Sequence, residues 1–547
     1  MENQKEFETW LQLDSQTREE LLKITDKEEL EDRFYKNLEF GTGGLRGLMG
    51  AGTNRVNRYT VRKVSAGLGD YLKTLDEVEP SVVIAYDTRN YSQEFAKEAA
   101  SVFIEKGIKV YLFSEATATP VLSFSVTKLE ATAGIVITAS HNPKEYNGYK
   151  VYDSNGVQLV PEKARIVTRF IDSIPDFRMI SVLPIEYGIQ SVYLQWIDET
   201  ILNAFIDEVN QQSRYKGELN ITYTPLHGTG KVPIQRILSN FKLSIVKEQE
   251  MADGNFPTVR TPNPEEKDAL LLAIQQAEKE NSDIVIGTDP DCDRIGIAVK
   301  HKQNYEVLTG NQIGALLVDF VLSQKNTYRN GTVIKTIVTN DLGAEIAKSY
   351  GFKVVETLTG FKYIGELVAE FEQTKQEKFI IGYEESFGYL IGTHSRDKDG
   401  VVSALVISEM AAFYKKRGQT LMDRLSYLYK KYGYYLDVLE SQSYYGESGS
   451  RKIQAMMTTM REQGVAFLPD TLEVLDYKLG INQLPKSNVL KFLLKEGSWV
   501  AARPSGTEPK IKFYYSIKER DQEEALKKLS EIKKRIQYVL NIENTIF

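Results

Sequence analysis

The sequence predicts an α/β protein of four domains, and three observations carry that reading. The chain has 547 residues, which at roughly 100–200 residues per domain makes three to five domains. A short apolar run, a tight polar cluster and a helical-looking stretch follow one another repeatedly along it. The later clusters, from Ser140 to Asp289 to Glu384 to Ser505, recur at intervals on the order of a hundred residues, matching one cluster per domain.

Taken in order, residues 82–85 lead into Asp87-Thr88-Arg89, and 134–137 into Thr138-Ala139-Ser140-His141-Asn142-Pro143. Residues 283–287 lead into Asp289-Pro290-Asp291-Cys292-Asp293-Arg294, 379–382 into Glu384-Glu385-Ser386, and 499–502 into Arg503-Pro504-Ser505-Gly506-Thr507. Apolar runs this short, bounded by Gly and Pro, read as buried strands, and the stretches between them read as helices. Ligands of such sheets collect at the carboxyl ends of strands, where these clusters stand. The domains are expected at 1–205, 206–306, 307–430 and 431–547, the last limit lying just before Tyr432-Gly433 and the Gly/Ser-containing stretch 446–450. Residues 521–540 read as an amphipathic helix with Leu526, Leu529, Ile536 and Leu540 on one face.

Composition narrows the class. Hydrophobic residues at 42% and charged residues at 26% exclude wholesale disorder. A net charge of −7 without a long basic tract argues against a nucleic-acid or anionic-membrane binder. The single cysteine, Cys292, can form no intrachain disulfide, and no Cys/His cluster offers a zinc site. The first residues lack the pattern of a signal peptide, and the apolar stretches 313–322 and 401–407 are too short to span a bilayer, the first also carrying Asp319. A soluble, cytoplasmic protein is expected; the oligomeric state is not legible.

Asp289, Asp291 and Asp293 alternate, so in a turned loop their carboxylates can close on one hard cation. A calcium EF-hand is excluded, because its glycine and glutamate positions hold Arg294 and Lys300. Magnesium is favoured, since three carboxylates leave a position open for a phosphate oxygen; an Asp-rich turn without metal is the alternative. Ser140 could be a nucleophile, a phosphate carrier or a turn serine. A Ser–His–Asp hydrolase is disfavoured: there is no G-x-S-x-G elbow, and an adjacent His141 is not expected to turn back onto its neighbour's hydroxyl. With four histidines in all, acid–base work can fall on Lys or Arg.

Arg503-Pro504-Ser505-Gly506-Thr507 suits an anion: an arginine fork, two hydroxyls and a glycine that lets backbone N–H groups approach. The segment 41–47 likewise surrounds Arg46 with flexible backbone, without the spacing of a dinucleotide fingerprint. Glu384 and Ser386 form an acceptor–donor pair of the kind that clasps sugar hydroxyls. Each motif alone is ambiguous. Together they point to phosphoryl transfer on a phosphorylated polyol.

In this order and spacing, Thr138 to Pro143 with Asn147-Gly148-Tyr149-Lys150, Asp289 to Arg294, Glu384 to Ser386 and Arg503 to Thr507 resemble the four signature loops of the α-D-phosphohexomutase family. Residues 41–47, Thr359-Gly360-Phe361-Lys362, 384–389 and 396–400 look like its phosphoglucomutase/phosphopentomutase branch. The resemblance implies three mixed α/β domains and a smaller C-terminal α+β domain around a central cleft. It also implies one magnesium ion and a serine that is active when phosphorylated. Ser140 would be the phosphoserine, with Asp289, Asp291, Asp293 and the Ser140 phosphate as metal ligands. Lys150, Arg46, His141 and Lys398 would serve catalysis, and Arg294 would sit beside the metal loop. Thr359, Gly360, Glu384 and Ser386 would bind the sugar, and Arg503, Ser505, Gly506 and Thr507 the phosphate that is not reacting.

The activity so implied interconverts hexose 1- and 6-phosphates, glucose first, through a sugar bisphosphate that is also the activator. Sugar phosphates are the expected partners, with neither nucleic acid nor membrane. Mannose or pentose phosphate is the alternative substrate within the family. From another class, the rival is a magnesium-dependent phosphatase with Asp289 or Asp291 as nucleophile, which leaves Ser140 and residues 503–507 idle; a silent scaffold is the third reading.

Overall fold

The computed structural model describes residues 4–41, 43–75, 79–324, 331–444, 446–505 and 509–540. The chain forms two compact units, one of residues 1–309, 361–382 and 386–417, the other of 310–360, 383–385 and 418–547.

The first unit holds two sheets. In the six-stranded sheet the order is Gly44–Leu48, Tyr146–Asp153, Ala133–Ile137, Ser81–Tyr86, Lys109–Phe113, Leu194–Ile197. The first two pairings are antiparallel and the rest parallel. Its centre reads Ser-Val-Val-Ile-Ala-Tyr and Ala-Gly-Ile-Val-Ile with every residue buried, as a parallel sheet covered on both faces requires. The five-stranded sheet runs Asn304–Val307, Ile295–His301, Ile284–Thr288, Asn220–Thr224, Lys242–Ile245, antiparallel in its first two pairings and parallel in the others. Helix Gly400–Lys415 of this unit is buried almost all round and capped by the Asp399 carboxylate, which accepts the Val401 and Val402 N–H groups.

In the second unit, Gly331–Thr336 and Lys353–Thr357 pair in parallel. A five-stranded antiparallel sheet follows, ordered Tyr434–Ser443, Lys510–Glu519, Trp499–Pro504, Leu490–Leu494, Thr471–Asp476. Asp319, the acid inside the apolar stretch 313–322, is buried in helix Gly310–Ser323 and accepts the Nε and Nη2 donors of Arg424, each at 2.8 Å. That pairing is what lets a charge sit there. Among the described residues no helix is long and apolar enough to cross a membrane.

Two expectations need correction. After four of the five polar clusters the chain continues as a strand (Tyr146–Asp153, Ile295–His301, Gly388–Ile391 and Lys510–Glu519); only Asp87-Thr88-Arg89 leads into a helix, Ser92–Glu105. The following segments are rich in β-branched and aromatic residues, which favour a pleated, buried surface. The last helix, Gln522–Leu540, buries Ala525, Leu529, Ile532, Ile536 and Leu540, whereas Leu526 is 49% exposed, because packing against the sheet turns the buried stripe one residue away from it.

The second unit also buries two lysines. Lys335 is held by Glu356 at 2.6 Å and Asp341 at 3.0 Å. Lys491 donates to the Ile337 carbonyl at 2.7 Å and lies over the Trp499 ring, whose N–H donates to Asp341. Burial, reinforced by the Lys335 charge, brings Lys491 down to about 8. A lysine depressed in the folded state binds fewer protons there than in the unfolded chain, so stability rises with pH from about 8 towards 10.5. We expect wild-type stability relative to Lys491→Met to gain up to about 3 kcal/mol across that window in denaturant titrations. A flat difference would show that Lys491 is charged at no cost.

Candidate active site

Strand Ala133–Ile137 ends at a tight turn and returns as Tyr146–Asp153, so that Val136 lies opposite Lys150. Ser140 sits in that turn at φ +52°, a left-handed conformation uncommon for a residue with a side chain, and is buried. Thr138 Oγ1 accepts the Ser140 N–H at 2.8 Å and donates its own proton to Asp87 at 2.6 Å. The Arg89 guanidinium donates to the carbonyls of Ser140, Asn142, Pro143 and Tyr146. Arg46, on strand Gly44–Leu48, donates to the Asn142 side chain at 2.9 Å.

The left-handed turn overturns one expectation about His141. Its Nδ1 lies 3.3 Å from Ser140 Oγ, within reach of the neighbouring hydroxyl. A hydrolase triad is still not formed, since among the described residues no carboxylate pairs with the His141 ring. Burial, with the Arg294 and Arg46 charges, holds the imidazole well below its ordinary value, so it is neutral at pH 7.

The second loop leaves strand Ile284–Thr288 at its carboxyl end. Asp289, Asp291 and Asp293 are buried with their carboxylate oxygens within 4.8 Å of one another. Backbone contacts set the loop: the Thr119 N–H donates to the Asp291 carbonyl, the Thr229 N–H to Pro290, and the Gly400 N–H to Cys292. Gly228 is required here, for a Cβ would come within 2.4 Å of the Pro290 Cα. Ser140 Oγ donates to Asp289 Oδ2 at 2.7 Å, while Asp289 Oδ1 accepts the N–H groups of Asp293 and Arg294. Lys150 bridges Asp291 at 2.8 Å and Asp293 at 3.1 Å, and Lys398 lies 3.3 Å from Asp293. Thr119 Oγ1 donates to Asp291 Oδ2.

These residues fit a metal ion. The Oδ1 atoms of Asp291 and Asp293 are buried and accept no hydrogen bond, which is costly for carboxylates unless a cation meets them. Burial and the two neighbouring carboxylates push Asp289 well up. For Asp293 burial acts in the same direction, but Lys150 and Lys398 outweigh it and hold it low. All-oxygen donors favour a hard divalent cation over zinc or copper.

Of the other sequence-expected residues, Arg294 donates to the Ser386 carbonyl at 3.0 Å and pairs with Glu265. The second unit holds Thr359, Gly360, Glu384, Arg503 and Ser505. There Glu384 accepts the Gly360 N–H at 2.9 Å. Ser505, just after strand Trp499–Pro504, donates its N–H to the carbonyl of Lys510, the first residue of strand Lys510–Glu519. Tyr514, pushed up to about 12 chiefly by burial, senses the charges of Glu385, Arg503 and Glu384. Gly506 and Thr507 lie outside the described residues. Sequence reasoning missed Thr119 and Glu265, for which no local pattern speaks, and assigned no role to Asp87 and Arg89 although their strand-end cluster was visible.

Four consecutive stretches match the profiles described as Phosphoglucomutase/phosphomannomutase, alpha/beta/alpha domain I (residues 37–176), domain II (200–303), domain III (309–432) and C-terminal domain (453–531). A protein named phosphoglucomutase from Staphylococcus haemolyticus is 37% identical over 511 residues, 89% of this chain and 91% of its own. One of the same name from Staphylococcus aureus (strain USA300) is 38% identical over 510 residues, 90% and 91% of the two chains. The crystal structure of a phosphoglucomutase/phosphomannomutase family protein from Burkholderia thailandensis shares the fold, with a TM-score of 0.70 at 16% identity over 92% of this chain and 98% of that one.

If the three aspartates hold a cation, Asp291→Asn, which removes a ligand charge at almost constant volume, should weaken Mg2+ binding about tenfold or more by calorimetry, with an unchanged circular dichroism spectrum. Affinity within about twofold of wild type would take Asp291 out of the ligand set.

Proposed function

Since the chain belongs to the phosphoglucomutase/phosphomannomutase family, we propose that it is a phosphosugar mutase, an intramolecular phosphotransferase interconverting α-D-glucose 1-phosphate and glucose 6-phosphate. The observation that carries the reading is a single buried serine hydroxyl, Ser140 Oγ, placed 2.7 Å from one aspartate of a three-carboxylate cluster and beside the Lys150 that bridges the other two. The name shared by the relatives supports glucose over mannose or pentose.

In this reading Ser140 carries a phosphoryl group. The bond from phosphorus to Ser140 Oγ breaks as one forms to the free hydroxyl of the sugar monophosphate, giving glucose 1,6-bisphosphate. The proton lost by that hydroxyl ends on Ser140 Oγ; His141, neutral and 3.3 Å away, is suited to relay it. The bisphosphate turns over, its other phosphoryl group returns to Ser140, and the isomerised monophosphate leaves. Lys150, Lys398 and Arg46 offset charge as it builds on the transferring group. A magnesium ion held by Asp289, Asp291 and Asp293 would supply Lewis-acid polarisation of the phosphoryl oxygens.

Thr359, Gly360, Glu384 and Ser386 bind sugar hydroxyls, Arg294 sits at the metal loop, and Arg503, Ser505, Gly506 and Thr507 bind the idle phosphate. Both orientations of the sugar must fit, so these groups recognise features common to the two. Glucose 1,6-bisphosphate serves as activator by supplying the first phosphoryl group. A cytoplasmic setting accords with substrates whose ionised phosphates keep them from crossing bilayers.

Ser140→Ala should remove the phosphate found by mass spectrometry on the peptide spanning 138–150 and lower kcat roughly a thousandfold or more. Turnover within about tenfold of wild type would send the phosphoryl group by another route, and acyl phosphate on Asp289 or Asp291 would favour the phosphatase. Arg503→Ala should raise KM about tenfold or more, with the Ser140 phosphate retained, because the idle phosphate is gripped in ground and transition states alike. An unchanged KM would free that loop of its assigned role.

A further inference from the structure

We infer that Asp87 and Arg89 are positioning residues that hold Ser140 in its left-handed turn and thereby aim its hydroxyl; this rests on the mutase reading above for its kinetic consequence. Both side chains are wholly buried, with Arg89 Nε 3.3 Å from Asp87 Oδ2. One guanidinium gathers four carbonyls of the turn and the first residue of the returning strand: Nη2 donates to those of Ser140 and Asn142, and Nη1 to those of Pro143 at 2.8 Å and Tyr146 at 3.1 Å. Asp87 reaches the other side of the same residue, since its Oδ2 accepts the Thr138 hydroxyl that in turn accepts the Ser140 N–H. Asp87 is itself fixed by the Ser92 hydroxyl at 2.7 Å and the Arg89 N–H at 3.0 Å. Phe256 closes the far face of the guanidinium, its ring centre 5.0 Å away.

The two peptide groups flanking the Ser140 Cα are therefore both tied, one through Thr138 and one directly, to a single buried ion pair. A non-glycine residue at φ +52° persists only where its surroundings over-determine it, and this pair provides that constraint. Only arginine offers a planar set of donors wide enough for four carbonyls; lysine has three donors on one atom. Burying such a pair brings little net stability, so its value lies in the conformation it enforces. Both side chains are shut off from solvent; their charges sense Asp291, and that of Arg89 also Asp289, but the contacts that fix Ser140 run through the backbone of the turn and Thr138.

The test uses the full-length enzyme with magnesium and glucose 1,6-bisphosphate, and compares Arg89→Met, Arg89→Lys and Thr138→Val. Arg89→Met should lose about a hundredfold in kcat, as expected for a misaimed nucleophile, while KM for glucose 1-phosphate stays within about threefold. Arg89→Lys should recover about tenfold of that loss by restoring some of the carbonyl contacts. Amide hydrogen exchange over residues 138–146 should accelerate about tenfold or more in Arg89→Met, with exchange over 434–443 unchanged. Unaltered exchange in the turn, kcat within about threefold of wild type, or a rise in KM alone would overturn the inference. Should Arg89→Met fail to fold, Thr138→Val removes a single hydroxyl of the chain and must show the same kcat-specific loss, or the inference falls. Wild-type protein that does not isomerise glucose phosphates would defeat the mutase reading instead, and the exchange rates would then decide the positioning role by themselves.

Discussion

Three carboxylates share one buried volume in the first unit, and the ammonium groups of Lys150 and Lys398, with the Arg294 guanidinium 3.9 Å from Asp293, are set against them. Asp289, Asp291 and Asp293 repel one another, and burial sharpens that repulsion, so the loop holds only because the surrounding framework compels it. The compulsion comes from several separate segments. Thr119 and Thr229 meet the loop backbone, Gly400 meets the Cys292 carbonyl, Lys150 arrives from the serine sheet, and Lys398 from the segment before helix Gly400–Lys415. A cluster held in this way is prepared for a hard cation and for an anionic group at the same place.

The path of the chain around the turns explains how Ser140 and Lys150 come together. They flank one strand–turn–strand connection, and the antiparallel register sets Lys150 against Val136, next to the start of the turn. The same logic applies at the metal loop, where the strand after the turn begins immediately beyond Arg294 and keeps that arginine beside Asp289, whose carboxylate accepts its N–H. Placing functional groups on both sides of a short turn fixes them through paired strands, which are stiffer than a loop leading to a free helix end.

Much of the site was legible because its chemistry demands particular residue types close together in sequence. Alternating aspartates advertise a hard-cation loop whatever the fold around them. The buried strands were equally plain, since a doubly covered sheet needs uninterrupted apolar runs. What stayed hidden was anything that depends on distant segments meeting. Thr119 reaches Asp291 across 172 positions of sequence, and no local pattern announces it. Leu526 reads as part of an apolar stripe, yet packing selected Ala525 and Ile532 instead, because a stripe's width tolerates a rotation of one residue.

By itself the sequence determined which atoms are available: a serine hydroxyl, three alternating carboxylates, the cationic side chains and the apolar runs that must become strands. These depend on side-chain chemistry and local periodicity, which survive in one dimension. Only the tertiary structure decided how those atoms face one another. It gave Ser140 a left-handed backbone, which brought His141 within 3.3 Å of its hydroxyl against the local expectation. It also turned Asp87 and Arg89, an unremarkable strand-end cluster, into the clasp of that turn. The physical reason is the same in each case: a disfavoured backbone conformation, and a buried charge, exist only where contacts from remote segments outweigh what the local chain prefers.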